Sequence, residues 1–142
     1  MNGKSPAQLY ALIIGATLVI AGIIGFFYSS SFGSPGRTDD VFGILSVNGW
    51  HNVVHIASGA LGLLALSYAA SRKYALGLAL VYTVVTVWGV IIGNGESILG
   101  LVPVNTEDTV LHAIIALAGF AAYAATPAVQ AVTTRESRAA TA

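Results

Sequence analysis

No cysteine occurs in the chain, which removes disulfides, thiolate metal sites, iron–sulfur clusters and thiol catalysis together. Charge is nearly as scarce. Asp, Glu, Lys and Arg make up 8% of the residues, where a soluble domain carries about 25%. The six basic and six acidic residues balance to a formal charge of +0, so no basic stripe is left to hold a nucleic acid. No Ser-His-Asp spacing, phosphate loop or dinucleotide fingerprint stands out, and the sequence leans away from an enzyme. Any metal chemistry has to use histidine, carboxylate or backbone oxygen.

What is abundant is apolar: 56% of the 142 residues are hydrophobic, with a mean hydropathy of +0.79. Such a chain belongs in a lipid bilayer. The first apolar run, about 8–28, has the roughly 20 residues of a spanning helix rather than the roughly 7 to 15 of a signal peptide core. A second helix is expected over about 48–70, a third over 74–93 and a fourth over 106–126. Ser71, Arg72 and Lys73 are read as a tight basic turn, and 29–46 as a solvated loop without periodicity. Residues 1–7 and 127–142 are expected as cytoplasmic ends, the latter a disordered tail. Trp50, Tyr28 and Tyr74 fall where interfacial aromatic belts are expected, and Tyr82 and Trp88 read as packing residues.

Basic residues give the orientation, because Lys and Arg are retained on the cytoplasmic side. Lys4, Arg72, Lys73, Arg135 and Arg138 fall on one side of a four-span arrangement, and only Arg37 on the other. The expected architecture is an all-α, polytopic integral membrane four-helix bundle with both termini cytoplasmic, in the inner (plasma) membrane.

Val47 to Gly62 partly recurs as Val104 to Gly119. Val47, Asn48, His51, His55 and Gly62 align with Val104, Asn105, Asp108, His112 and Gly119, which reads as an internal repeat of two related helical hairpins. Asn48 and Asn105 are suited to cap helix N-termini. Residues four apart share a helical face, so His51 and His55 stack on one helix and Asp108 and His112 on the other. Ionisable groups at membrane depth are costly and turn inward toward partners.

Two readings of this cluster are open. A structural clasp would tie helix two to helix four through His51, His55, His112 and Asp108, with Asn48, Asn52, Asn105 and Glu107 around them. Inward polar residues more often join helices than bind ligands, which favours it. Alternatively His51, His55 and His112, with Asp108 or Glu107, hold a divalent transition metal or a haem, since imidazole and carboxylate suit such ions. Glu96 is a distant further ligand candidate.

In these segments the chain resembles a bacterial family of small four-span membrane proteins, the domain of unknown function 4383. The resemblance rests on Asn48, His51, Asn52, His55, Gly59 and Gly62, and on Asn105, Thr106, Asp108, Leu111, His112 and Gly119. Thr109 departs from it, where the family is associated with Asn. The resemblance implies the four-helix membrane fold and no activity. The functional expectation is an accessory or structural membrane subunit, with the lipid bilayer as its partner and a larger membrane protein complex or a homo-oligomer as its setting. A metal or haem binder with redox or transport work is the alternative.

Overall fold

The computed structural model describes residues 3–33 and 38–128. Four α-helices and two short β-hairpins follow in the order α1 (Pro6–Tyr28), β1 (Asp39–Val41), β2 (Leu45–Val47), α2 (Gly49–Leu64), α3 (Tyr68–Ile92), β3 (Ser97–Ile98), β4 (Val102–Pro103) and α4 (Thr106–Ala124). The expected tail lies largely outside the described residues, as do Arg37, Arg135 and Arg138.

α1 starts on a capping box: the Ser5 hydroxyl accepts from the Gln8 amide, the Gln8 side chain accepts from Ser5 N–H, and Pro6 occupies the first turn, where no donor is needed. Its neighbour is α2. A Cβ on Gly59 would lie 2.6 Å from the Gly15 carbonyl oxygen, and one on Gly15 2.9 Å from that of Gly59. Only glycine at both positions lets these backbones come so close. α3 packs correspondingly on α4, with Ala75, Ala79 and Ala116 in the seam.

The distribution of size is inverted relative to a soluble protein. Much of the buried surface is Ala, Gly and Tyr, while Ile13, Ile20, Phe27, Val84, Val90, Ile91 and Leu117 face outward. Among the described residues, three helices are long and apolar enough to cross a membrane: α1, α3 and α4, with mean hydropathies of 2.4, 2.3 and 1.2 over their best windows. α2 has 16 residues, about 24 Å at 1.5 Å per residue.

That length corrects the expected boundary. The second helix stops at Leu64 instead of near Ala70, and Ser71, Arg72 and Lys73 lie inside α3 rather than in a turn. Ser67 is the cause, since its hydroxyl accepts from Ala70 N–H and starts α3 there. Tyr74 is consequently more than a turn inside its helix. It packs on Gly62 and donates its hydroxyl to the Ser58 carbonyl, so it is an interhelical contact and not a belt residue.

The loop expected over 29–46 contains the β1–β2 hairpin, paired Asp39 with Val47 and Val41 with Leu45. β3 and β4 form its counterpart, Ser97 with Pro103 and Ile98 with Val102. Both turn through two residues at positive φ: Phe42 (54°) with Gly43 (70°), and Leu99 (55°) with Gly100 (70°). This mirror-image turn matches strand twist and normally calls for Asn or Gly in its first place.

Both hairpins sit at one end of the molecule. At the other end the helices are tied by Ala7 N–H to Thr126 Oγ1 (3.0 Å), the Gln8 amide to the Leu66 carbonyl (2.8 Å) and Arg72 Nε to the Thr126 carbonyl (2.6 Å). The Arg72 guanidinium also lies over the Tyr123 ring, 3.9 Å from its centre.

Candidate functional site

The hairpin end of the helices holds the polar cluster, and the two capping asparagines set its depth. Asn48 Oδ1 accepts from His51 N–H at 2.9 Å, and Asn105 Oδ1 from Asp108 N–H at 2.8 Å. Each asparagine has a second task in the other half of the chain. The Asn48 amide donates to the Leu101 carbonyl and the Asn105 amide to the Ile44 carbonyl, so each helix cap also holds the opposite hairpin.

His51 is 1% exposed, and its two ring nitrogens have different surroundings. Nδ1 lies 3.0 Å from the Ser46 carbonyl. A carbonyl can only accept, so Nδ1 carries the proton and the neutral ring turns the Nε2 lone pair inward. That lone pair meets His55 Nε2 at 3.0 Å and Asp108 Oδ2 at 3.5 Å. The other carboxylate oxygen, Oδ1, is 3.5 Å from His112 Nε2. One ligand nitrogen from each of His51, His55 and His112 falls within a 4.8 Å span.

Lone pairs of two imidazoles and a carboxylate repel one another unless something positive lies among them. Three chemical states meet that need. His55 in its Nε2–H tautomer donates to the His51 lone pair without added charge, a proton on His51 Nε2 makes an imidazolium held between Ser46 and Asp108, and a metal cation accepts the nitrogen lone pairs directly.

Among the expected residues, His51, His55, His112 and Asp108 come together. Asn52 is buried but faces α1, where its amide donates to the Ser29 carbonyl at 2.8 Å and its side chain lies on Gly25. Glu107 and Glu96 are exposed, away from the three histidines. Thr109 packs on Gly89 and bonds back to the Asn105 carbonyl.

Two participants escaped the sequence. Ser46, expected in a featureless loop, supplies the carbonyl that fixes the His51 tautomer. Tyr82, expected as packing, sets its ring edge-on to His112 with centroids 4.9 Å apart, and its buried hydroxyl makes no hydrogen bond of ordinary geometry among the described residues. The spacing of Ser46 five residues before His51 on a strand–cap–helix junction was a usable signal, whereas nothing local marks Tyr82.

A family model described as Domain of unknown function (DUF4383) matches residues 8–125. No curated protein and no solved structure matches the chain.

Proposed function

This chain belongs to the DUF4383 family, and from that premise we propose that it is a four-span inner-membrane protein that binds a divalent transition metal ion at His51, His55 and His112, with Asp108 beside them. The observation that carries this is the His51 ring: Nδ1 committed to the Ser46 carbonyl and Nε2 facing His55 Nε2 at 3.0 Å. A ring N–H held by a carbonyl is the usual outer support of a metal-ligating histidine. Zn–N bonds of about 2.0–2.1 Å put neighbouring nitrogens about 3.4 Å apart in a tetrahedron, so small side-chain adjustments close this set on an ion. Rings packed edge to face at 4.3 to 6.1 Å between centroids suit an ion and leave no slot for a flat macrocycle such as haem.

The four-span arrangement is supported by the outward-facing Val53, Val54, Leu61 and Leu64 of α2, with thinning of the bilayer offsetting its short length. Lys4, Arg72 and Lys73 lie at the end away from the hairpins, and Arg135 and Arg138 follow α4 in the sequence. That end is cytoplasmic by the rule of retained positive charge, and the histidine cluster is then extracytoplasmic.

An internal repeat is supported by reciprocal contacts. Tyr10 donates to the Ile115 carbonyl and Tyr74 to the Ser58 carbonyl, and Ser58 and Ile115 stand at the same spacing as Val47 and Val104. Ile44 and Leu101, accepting from Asn105 and Asn48, keep that spacing too. The halves are thus related by an approximate two-fold axis along the membrane normal, with Tyr10 and Tyr74 meeting near it at 6.2 Å and the metal site above them.

A second reading, the clasp, has its own support in Asp108, whose two oxygens lie equally close to His51 and His112. Metal analysis of protein purified without added metal separates the two. Stoichiometric metal, lost on His112→Asn, is expected; metal-free protein whose melting temperature ignores added Zn(II) or Co(II) would establish the clasp and leave an accessory, structural role.

A further inference from the structure

Between the two hairpins lies a polar cleft of about 150 Å³, lined by Thr38, Ser46, Asn48, Glu96 and Ser97 and closed on one side by Leu101, Pro103 and Val104. Liquid water occupies about 30 Å³ per molecule, so the cleft has room for an ion with part of its hydration shell. Its position relative to the histidines is specific. Two of its wall residues are bonded directly to His51: Ser46 through its carbonyl on Nδ1 and Asn48 through its side chain on the backbone N–H. Ser46 also faces outward, donating its hydroxyl to Asp40 at 2.7 Å. One residue therefore joins a surface carboxylate, the cleft and the buried ring.

The charge at this end has one sign among the described residues. Asp39, Asp40, Glu96 and Glu107 are exposed there, while all described Lys and Arg lie at or near the opposite end. Glu96 is the carboxylate that lines the cleft, and a carboxylate so placed raises the local concentration of cations and their rate of entry.

We propose that this cleft is the port through which the histidine site exchanges its divalent cation with the extracytoplasmic phase, Glu96 being its mouth carboxylate. The proposal rests on the metal reading of the site. Glu96 acts here on the rate of loading, and the equilibrium affinity is set by the histidines. The inner end of the cleft is closed by Ser46 and Asn48 on the Nδ1 side of His51, so the ion passes from the cleft to the Nε2 side as the His51 ring turns.

The absence of native cysteine makes a reversible plug possible. Full-length Ser97→Cys, reconstituted in nanodiscs, is modified with a bulky methanethiosulfonate reagent, and Co(II) binding is followed by stopped-flow absorption. Loading and release are both expected to slow by about tenfold or more with final occupancy unchanged, and cleavage of the adduct by a phosphine reductant, removed before metal is added, to restore them. Independently, Glu96→Lys is expected to lower the association rate by about tenfold at low salt and less at high salt. Modified Ser97→Cys that loads at the unmodified rate, or Glu96→Lys with an unaltered, salt-insensitive rate, would overturn the port. Wild-type protein that takes up no Co(II) would instead overturn the metal reading beneath it.

Discussion

His51 and His55 bring their Nε2 atoms to 3.0 Å, a separation at which two unprotonated nitrogens repel. Because Ser46 holds the His51 proton on Nδ1, the pair needs either a shared proton or a shared cation. Acid therefore competes with metal for the same lone pairs. In a Co(II) titration, affinity is expected to fall as pH is lowered and to recover as it is raised. At a hundredfold excess over the dissociation constant, bound metal stabilises by about 2.7 kcal/mol; His55→Gln and His112→Asn should each remove this, and Thr83→Val should leave it intact.

Asn48 does two jobs that substitution can separate. Asn48→Ala loses the cap, about 1 kcal/mol, and also strands the Leu101 carbonyl, about 1–3 kcal/mol more. Asn48→Ser keeps a neutral acceptor for His51 N–H and loses the donor to Leu101. Unfolding in detergent should rank wild type above Ser and Ser above Ala; equal values for Ser and Ala would show that capping contributes nothing here.

The α1–α2 seam predicts a contrast between two glycines. Gly59→Val has to displace the Gly15 carbonyl and should separate the helices, with loss of folded protein in mild detergent. Gly77 has nothing within 4 Å of an added Cβ, so Gly77→Ala should stabilise by about 0.5–1 kcal/mol through helix propensity. A tolerant Gly59 would mean that the helices do not pack as described.

Tyr82 carries a buried hydroxyl that makes no hydrogen bond of ordinary geometry among the described residues, with the Ser58 side chain its nearest candidate acceptor. A group in that condition costs about 1–3 kcal/mol, so Tyr82→Phe should raise the melting temperature of metal-free protein. A drop instead would reveal a bonded partner for the hydroxyl.

Orientation is checked with single cysteines. Thr38→Cys should react with an impermeant maleimide on intact cells, and Lys4→Cys only after the membrane is opened. The reverse pattern would put the histidine cluster on the cytoplasmic side.

What the sequence made legible was local. Asn48 and Asn105 read correctly as caps because capping depends on residues three apart, and the histidine spacing followed from helical geometry. The break between α2 and α3 did not, since Ser71-Arg72-Lys73 carried a stronger turn signal than Ser67, which acts through a single cap. The hairpins were hidden by Phe42 and Leu99, large apolar residues at positive φ where turn chemistry calls for Asn or Gly. Extending the Val47–Val104 alignment back to Phe42-Gly43 and Leu99-Gly100 would have exposed them. Tyr10-Ala11-Leu12 and Tyr74-Ala75-Leu76 offered a similar clue to the first helix of each half. The cross-chain bonds of Asn48, Asn105, Tyr10 and Tyr74 depend on packing between the halves, which no local pattern encodes.

The exchanged asparagine amides make the two halves depend on each other. Asn48 and Leu101 stand 53 residues apart and Asn105 and Ile44 61, so each amide caps its own helix locally but finds its carbonyl only once the halves have folded together. Neither hairpin is then anchored without the other half of the chain, and the two helix caps serve as the keys of a mutual lock.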